Sequence, residues 1–369
     1  MTSGRRLAVL LVALAVVAAP AVVLRALCVG ESCDEANAAT ARVPFCPLQA
    51  DVRDLIVAGF RDGRSPDVSA VTEPPSTVVT LVPGAGVAWP SAAVPDLRVP
   101  IVFAGTGVRP GTIPEGTRLD RIAPTLEPLA GFHRPHPDVR SGDAIPGVAT
   151  SERTRLIVLI AWKGVGSAAL DAEPDAWATL RALHASGAGT LAGSAGSLPL
   201  DPAAVLTTIG TGALPADHGI VGATIRDDRG RVVRAWSAAA PPSIVSTFAE
   251  DLDEATGQAA RVALVARRAA DRGLVGGDWY LGADRDDRIF GPAAPARSVA
   301  GLLADGYGAD ATPDVIGIAL EGSVGRQDAE TAAIVARVRA SGLPATFVVA
   351  GTGSRAPAAT VAAATVAAQ

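Results

Sequence analysis

Leu156–Trp162 reads LIVLIAW, an unbroken apolar run rich in Ile and Val that stops at Lys163. A strand with one face in water alternates polar and apolar residues; a continuous run belongs to a strand covered on both faces. That implies a mostly parallel sheet with helices on either side, the α/β class. Further strands are expected at Val99–Ala104, Ala260–Val265, Val315–Leu320 and Thr346–Ala350, with a short β-type run at Thr77–Val82. Helices are expected at Asp51–Phe60, Leu119–Leu129, Ala176–Ser186, Ala203–Ile209, Ser243–Ala255 and Ala329–Ser341. GFHRPHPDVRSG, beginning at Gly131, reads as a polar loop, and the apolar tail Ala358–Gln369 as a frayed end or weak helix.

With 49% hydrophobic, 19% charged and 4% aromatic residues, the 369-residue chain has ample material for a core of small aliphatic side chains. Intrinsic disorder, collagen and a disulfide-dense miniprotein are excluded. A net charge of −5 with interspersed signs argues against a nucleic-acid partner, which would need a basic face. Lys163 is the only lysine among 32 basic residues, an arginine bias that resembles high-GC codon usage.

Arg5 and Arg6 precede an uncharged run from Leu7 to Leu24. A stretch of ~18 apolar residues is about the minimum for a membrane-spanning helix. Its basic flank predicts a single-pass anchor, residues 1–27, with everything after Arg25 outside the cytoplasm. A secreted form cut after Ala18-Ala19 is the alternative, for which Pro20 is a poor neighbour. Cys28, Cys33 and Cys46 fall in the following linker, 28–50. Outside the cytoplasm Cys33 and Cys46 are the preferred disulfide pair; a metal knuckle and simple buried thiols are the other readings.

Between Gly196 and Gly222 the chain reads GSLPLDPAAVLTTIGTGALPADHGIVG. This resembles the alkaline phosphatase superfamily, in its type I phosphodiesterase/nucleotide pyrophosphatase branch, where a Pro-rich nucleophile segment is followed by TG and an HGI turn. LIVLIAWKGVG, TPDVIGIALEGSVG at Thr312–Gly325 and PATFVVAGTGS at Pro344–Ser354 resemble further strands of that family, in family order. RVPIVFAGTGVRPGTIPEGTRLDRIAPTLEPLAGF at Arg98–Phe132 is similar to the family's carboxyl-terminal part, yet precedes the nucleophile strand. The resemblance implies one three-layer domain over 51–355, circularly permuted so that 51–150 carries the family's last part, followed by a tail at 356–369. Permutation is tolerated where the old termini lie close together at the surface.

The family's chemistry implies two metal ions, Zn or Mn, that bind substrate oxygens and activate a hydroxyl nucleophile. The expected ligand positions are poorly filled. Lys163 stands where the first strand should end in Asp; Glu321 and Asp328 supply carboxylates with no imidazole after them. Gly351 and Thr352 replace an Asp-His pair, and VAWPSAAVPDL before Val99 lacks the final His. His218 matches the HGI turn, a structural position, and His184 reads as a surface histidine. His133, His136 and Asp138 in HRPHPD could in principle hold a metal, against a solvated turn. Lys163 could bind an anion in place of a metal, or fill the vacated space by pairing with Glu321 or Asp328. Ser197, Thr207 and Thr208 are the candidate nucleophiles, none with an evident base.

Three functions are thereby in play. The first is a degenerate membrane-anchored member kept as a binding or scaffolding module for an anionic small molecule or envelope component, without cofactor. The second is a working metal-dependent phosphodiesterase or phosphatase with ligands at unrecognised positions, Asp217 among them. The third is a two-lobed sugar- or anion-binding protein, for which 4% aromatics is meagre. In the first two, ligands gather at the carboxyl ends of the strands, where Lys163, Ser197, Thr207, Glu321 and Asp328 are expected.

Overall fold

A computed structural model describes residues 49–66, 76–79, 97–277, 279–280, 287–291, 294–353 and 359–362. The expected anchor Leu7–Leu24 and all three cysteines lie outside the described residues. Among the described residues no helix is long and apolar enough to cross a membrane.

In chain order the elements are α1 (Ala50–Ala58), β1 (Ser76–Val79), β2 (Arg98–Gly105), β3 (Gly111–Thr112) and α2 (Ile122–Ala130). Then come β4 (Leu156–Trp162), α3 (Ser167–Ala172), α4 (Ala178–Ser186), β5 (Ala188–Ser194), α5 (Pro202–Thr211) and α6 (Pro215–His218). After a small hairpin, β6 (Thr224–Arg226) and β7 (Val232–Arg234), follow α7 (Phe248–Ala255) and β8 (Val262–Ala266). A 3-10 segment, Ala269–Leu274, leads to β9 (Asp287–Phe290), α8 (Pro295–Ala304), β10 (Asp314–Leu320), α9 (Val324–Ala340), β11 (Ala345–Gly351) and β12 (Ala359–Ala362).

Eight strands form one sheet in the order β3-β5-β2-β11-β4-β10-β8-β9. Every neighbouring pair is parallel except those of β2, which runs antiparallel to both β11 and β5. The fold is therefore mixed α/β around a mostly parallel sheet. Segment 98–150 contributes β2 to the interior of the sheet that 151–351 builds, so strands of both segments share the eight-stranded sheet; β1 with β12 and β6 with β7 form separate two-stranded sheets. All seven residues of β4 are buried, as are those of β10 and β11 on either side. Two apolar layers cover the faces. Ile122, Leu126, Val205, Ile209, Phe248 and Leu252 belong to one; Leu180, Leu183, Val299, Leu302, Ile334 and Val338 belong to the other.

Three boundaries differ from expectation, each for a local reason. The helix expected from Ser243 begins at Phe248, because Thr247 and Glu250 form a reciprocal capping box. Ser243 instead donates to the carbonyls of His218 and Val245. The helix expected from Ala329 begins five residues earlier at Val324, where Ser323 Oγ accepts from Arg326 N. The tail expected to be frayed or helical has a strand, β12, parallel to β1. β5, AGTLAGS, carries neither branched runs nor alternation, and nothing in its sequence announces a strand.

Candidate functional site

The register sets the site. Trp162 on β4 pairs with Leu320 on β10 and with Gly351 on β11, so Lys163, Glu321 and Thr352 emerge together at the carboxyl edge. Lys163 N donates to Leu320 O and Thr352 N to Trp162 O, each at 3.1 Å. Thr352 Oγ1 accepts from Gly164 N at 2.9 Å.

Asp271 joins them from the 3-10 segment, which lies unusually close to α5. A methyl at Gly210 would sit 2.2 Å from Gly273 O, and one at Gly273 would sit 2.0 Å from Thr207 Oγ1. Only glycine allows this approach, which presses Asp271 toward the sheet edge.

Lys163 Nζ donates to Asp271 Oδ1 at 2.6 Å and to Glu321 Oε1 at 2.5 Å. The three side chains are 9%, 2% and 22% exposed, so the triad is nearly dry at Asp271 and opens toward solvent at Glu321. Burial raises the Asp271 carboxyl above its ordinary range; the charge and hydrogen bond of Lys163 oppose this, and Glu321 adds to it. For Glu321 burial also pushes upward, but the hydrogen bond and charge of Lys163, with Arg268 and Arg267, win and hold it low. Those arginines lie 3.7 and 3.8 Å from the Glu321 oxygens and are themselves largely exposed. Asp201, capping α5, is raised by burial against the backbone N–H groups of Ala223, Ala203 and Ala204 and the charge of Lys163.

The pairing of Lys163 with Glu321 agrees with the sequence reading, and the second partner is Asp271 rather than Asp328. Asp328 lies one turn into α9 and faces α4, where its oxygens accept from Thr179 N and Leu180 N, both at 2.9 Å. It caps the first turn of α4 from a neighbouring helix and does not line the strand ends. The early start of α9 explains the displacement, since a residue expected in the loop after β10 lies inside a helix instead.

The candidate nucleophiles separate as well. Thr207 Oγ1 donates to Ala203 O at 2.7 Å, and Thr208 Oγ1 lies 3.1 Å from His218 Nε2. Both threonines are fully buried. His218 Nδ1 accepts from Ile220 N, which leaves the ring proton on Nε2, directed at Thr208. Burial lowers its pKa to about 3, so His218 is neutral, the structural role read from the HGI turn. Ser197 follows β5 at the same sheet edge. It is 1% exposed and its Oγ has no hydrogen-bond partner. The adjoining loop is closed by α1: Leu198 N donates to Leu55 O at 2.9 Å, and a methyl at Gly59 would lie 1.7 Å from Leu198 O.

His133 and His136 are exposed in the loop after α2. Between them Arg134 turns inward and is fully buried, donating to Asp251 Oδ2, Thr211 O and Ser246 O. The loop's spacing serves this clamp and keeps both imidazoles at the surface. Among the described residues no three His, Cys, Asp or Glu side chains converge as a metal centre requires. The donor set at the strand ends does not fit a two-metal centre either, because an ammonium stands between its two carboxylates.

A pocket of about 300 Å³ opens beside the triad, at the carboxyl ends of β8 and β10. Glu321, Arg267, Arg326, Gln327, Glu330 and Pro295 are among its lining residues. Of the residues expected here only Glu321 lines it; Lys163 lies behind Glu321. Sequence reasoning passed over Arg267, Arg268, Asp271 and Gln327. The signal for the two arginines was available: RR directly follows the buried run VALVA, and strand ends are where α/β proteins gather polar groups. No protein-family model matches the chain, and no curated protein shows significant similarity to it.

Proposed function

We propose that the chain is a degenerate, circularly permuted relative of the alkaline phosphatase superfamily. Its N-terminal helix anchors it in a membrane, with the α/β domain on the extracytoplasmic face, where it binds an anionic small molecule or envelope component rather than hydrolysing a phosphate ester. One observation carries this reading: Lys163 Nζ bridges Asp271 and Glu321 at the strand ends, where the resemblance implies a metal ion. A fixed monovalent cation can pair with both carboxylates, but it offers no open coordination position for a substrate oxygen or water. Segment 98–150 completing the sheet of 151–351 is consistent with permutation. A net charge of −5 gives nucleic acid no footing as a partner.

The unpartnered hydroxyl of Ser197 favours the second reading, a hydrolase that uses Zn or Mn with this serine as nucleophile. The experiment is metal analysis of the detergent-solubilised full chain, purified without chelator, alongside turnover of bis-nitrophenyl phosphate with added Zn or Mn. Folded protein with neither bound metal nor turnover is expected. About two equivalents of metal with metal-dependent turnover that Ser197→Ala abolishes would establish the hydrolase instead.

A further inference from the structure

The pocket beside the triad contains a buried group with no partner. Gln327 is 0% exposed. Its Nε2 donates to Lys163 O at 3.1 Å and to Gly322 O at 3.0 Å. Those two carbonyls fix the amide's orientation, since a flipped amide would set oxygen against oxygen. Gln327 Oε1 is thereby left as a buried acceptor without a hydrogen bond, in a residue that lines a concave site. A buried acceptor in that state is costly, and a ligand donor would relieve the cost.

The rest of the wall specifies what the ligand carries. Arg326 and Arg267 are exposed guanidinium groups at the rim. Pro295 is the first residue of α8, a ten-residue helix whose Ala294 N-cap has no capping side chain and whose first turn holds no acid. Two cations and the positive end of a helix favour a negative group. Glu321 and Glu330, with Gln327 Oε1, present acceptors that a bare anion cannot use. Hydroxyl groups on the same ligand can.

We propose that this pocket binds a small hydroxylated anion, a sugar phosphate or sugar acid, with its charge between Arg267, Arg326 and the α8 terminus and a hydroxyl donating to Gln327 Oε1. The inference deepens the binding reading above and rests on it. A cavity of about 300 Å³ is at the lower end of small-molecule sites and accommodates one hexose with its charged group.

Calorimetric titration of the full chain in detergent with glucose 6-phosphate, glucuronate, glucose and inorganic phosphate tests it. At least one charged sugar is expected to bind at least ~10-fold more tightly than glucose or phosphate, and the pair of charged sugars tells phosphate from carboxylate recognition. Arg326→Gln and Arg267→Gln, both surface changes, are each expected to weaken that binding by ~10-fold, the worth of one charge-assisted hydrogen bond. Rising ionic strength should weaken it further. Absence of binding by both charged sugars, or binding that neither arginine variant alters, overturns the proposal. Equal binding of phosphate and glucose 6-phosphate overturns the role of the hydroxyl groups. Hydrolysis of bound glucose 6-phosphate would refute the non-hydrolytic reading while leaving the pocket assignment intact.

Discussion

Two clusters of opposite charge are built into this molecule, and they are built differently. In the first, Asp251 accepts from Arg134 Nε, Arg140, Ser246 Oγ and Tyr280 Oη, between 2.5 and 2.9 Å. Arg134 and Asp251 are wholly excluded from solvent, and the two remaining nitrogens of Arg134 hold backbone carbonyls. Burial lowers the Arg140 guanidinium, helped by the charge of Arg134, and pushes the Tyr280 hydroxyl up to about 12, helped by Asp251. In the second, Lys163 joins Asp271 and Glu321 at the sheet edge; Glu321 is 22% exposed and faces a pocket beside an unpartnered amide oxygen. The first cluster, in which the Asp251 carboxylate takes four donors and only Arg140 Nε bonds nothing, is sealed from solvent and stitches the chain together. A cluster left open at a strand end has capacity for a ligand.

The contrast predicts unequal costs. Asp251→Ala strands two buried guanidinium groups and should cost about 3–5 kcal/mol in urea denaturation; a loss under ~1 kcal/mol would remove the clamp from the stabilising side of the comparison. Lys163→Met leaves Asp271 and Glu321 facing each other, with rim arginines and solvent to soften the effect, and should cost roughly 2–3 kcal/mol at pH 7. That penalty should shrink toward pH 4 as the carboxyls take up protons. A penalty independent of pH would mean that the triad is packing rather than electrostatics.

His218 belongs with the sealed groups. Its folded pKa, near 3, lies below the ordinary imidazole value, so the unfolded chain binds the proton first as pH falls. Its stabilisation is complete above about pH 6.5 and declines below it, by about 2 kcal/mol between pH 6.5 and 5. His218→Asn, which keeps an acceptor for Ile220 N, should flatten that part of the stability profile; an unchanged slope would show that His218 is not sealed. The smallest effect is expected at Ser197, whose buried hydroxyl bonds nothing. Ser197→Ala should leave stability unchanged or raise it by up to ~1 kcal/mol, and a loss beyond ~1 kcal/mol would reveal a bond at this hydroxyl.

The sheet was readable wherever both faces of a strand are buried. LIVLIAW, the β8 run, VIGIAL and the β11 run all announce themselves, because burial on two sides demands continuous apolar sequence. β5 did not, since close packing there selects Gly, Ala and Ser, the composition of a loop. At the site, Lys163 at the end of the first buried run was visible, and so was Glu321. Asp271 was not, because its place depends on the close passage of Gly210 and Gly273, which no periodicity records. Asp328 was misplaced because one serine cap, Ser323, starts α9 earlier than the apolar spacing implies.

The comparison turns on whether the Lys163 ammonium stands in for a metal ion, and the Lys163→Asp variant addresses that. Removing the cation and adding a third carboxylate beside Asp271 and Glu321 would create a donor set that a hard dication accepts. Titration of Mn or Zn into the full chain and into the variant should show no specific site in the former and about one equivalent bound in the latter. Specific binding by the unaltered chain, or none by a folded variant, would contradict this account.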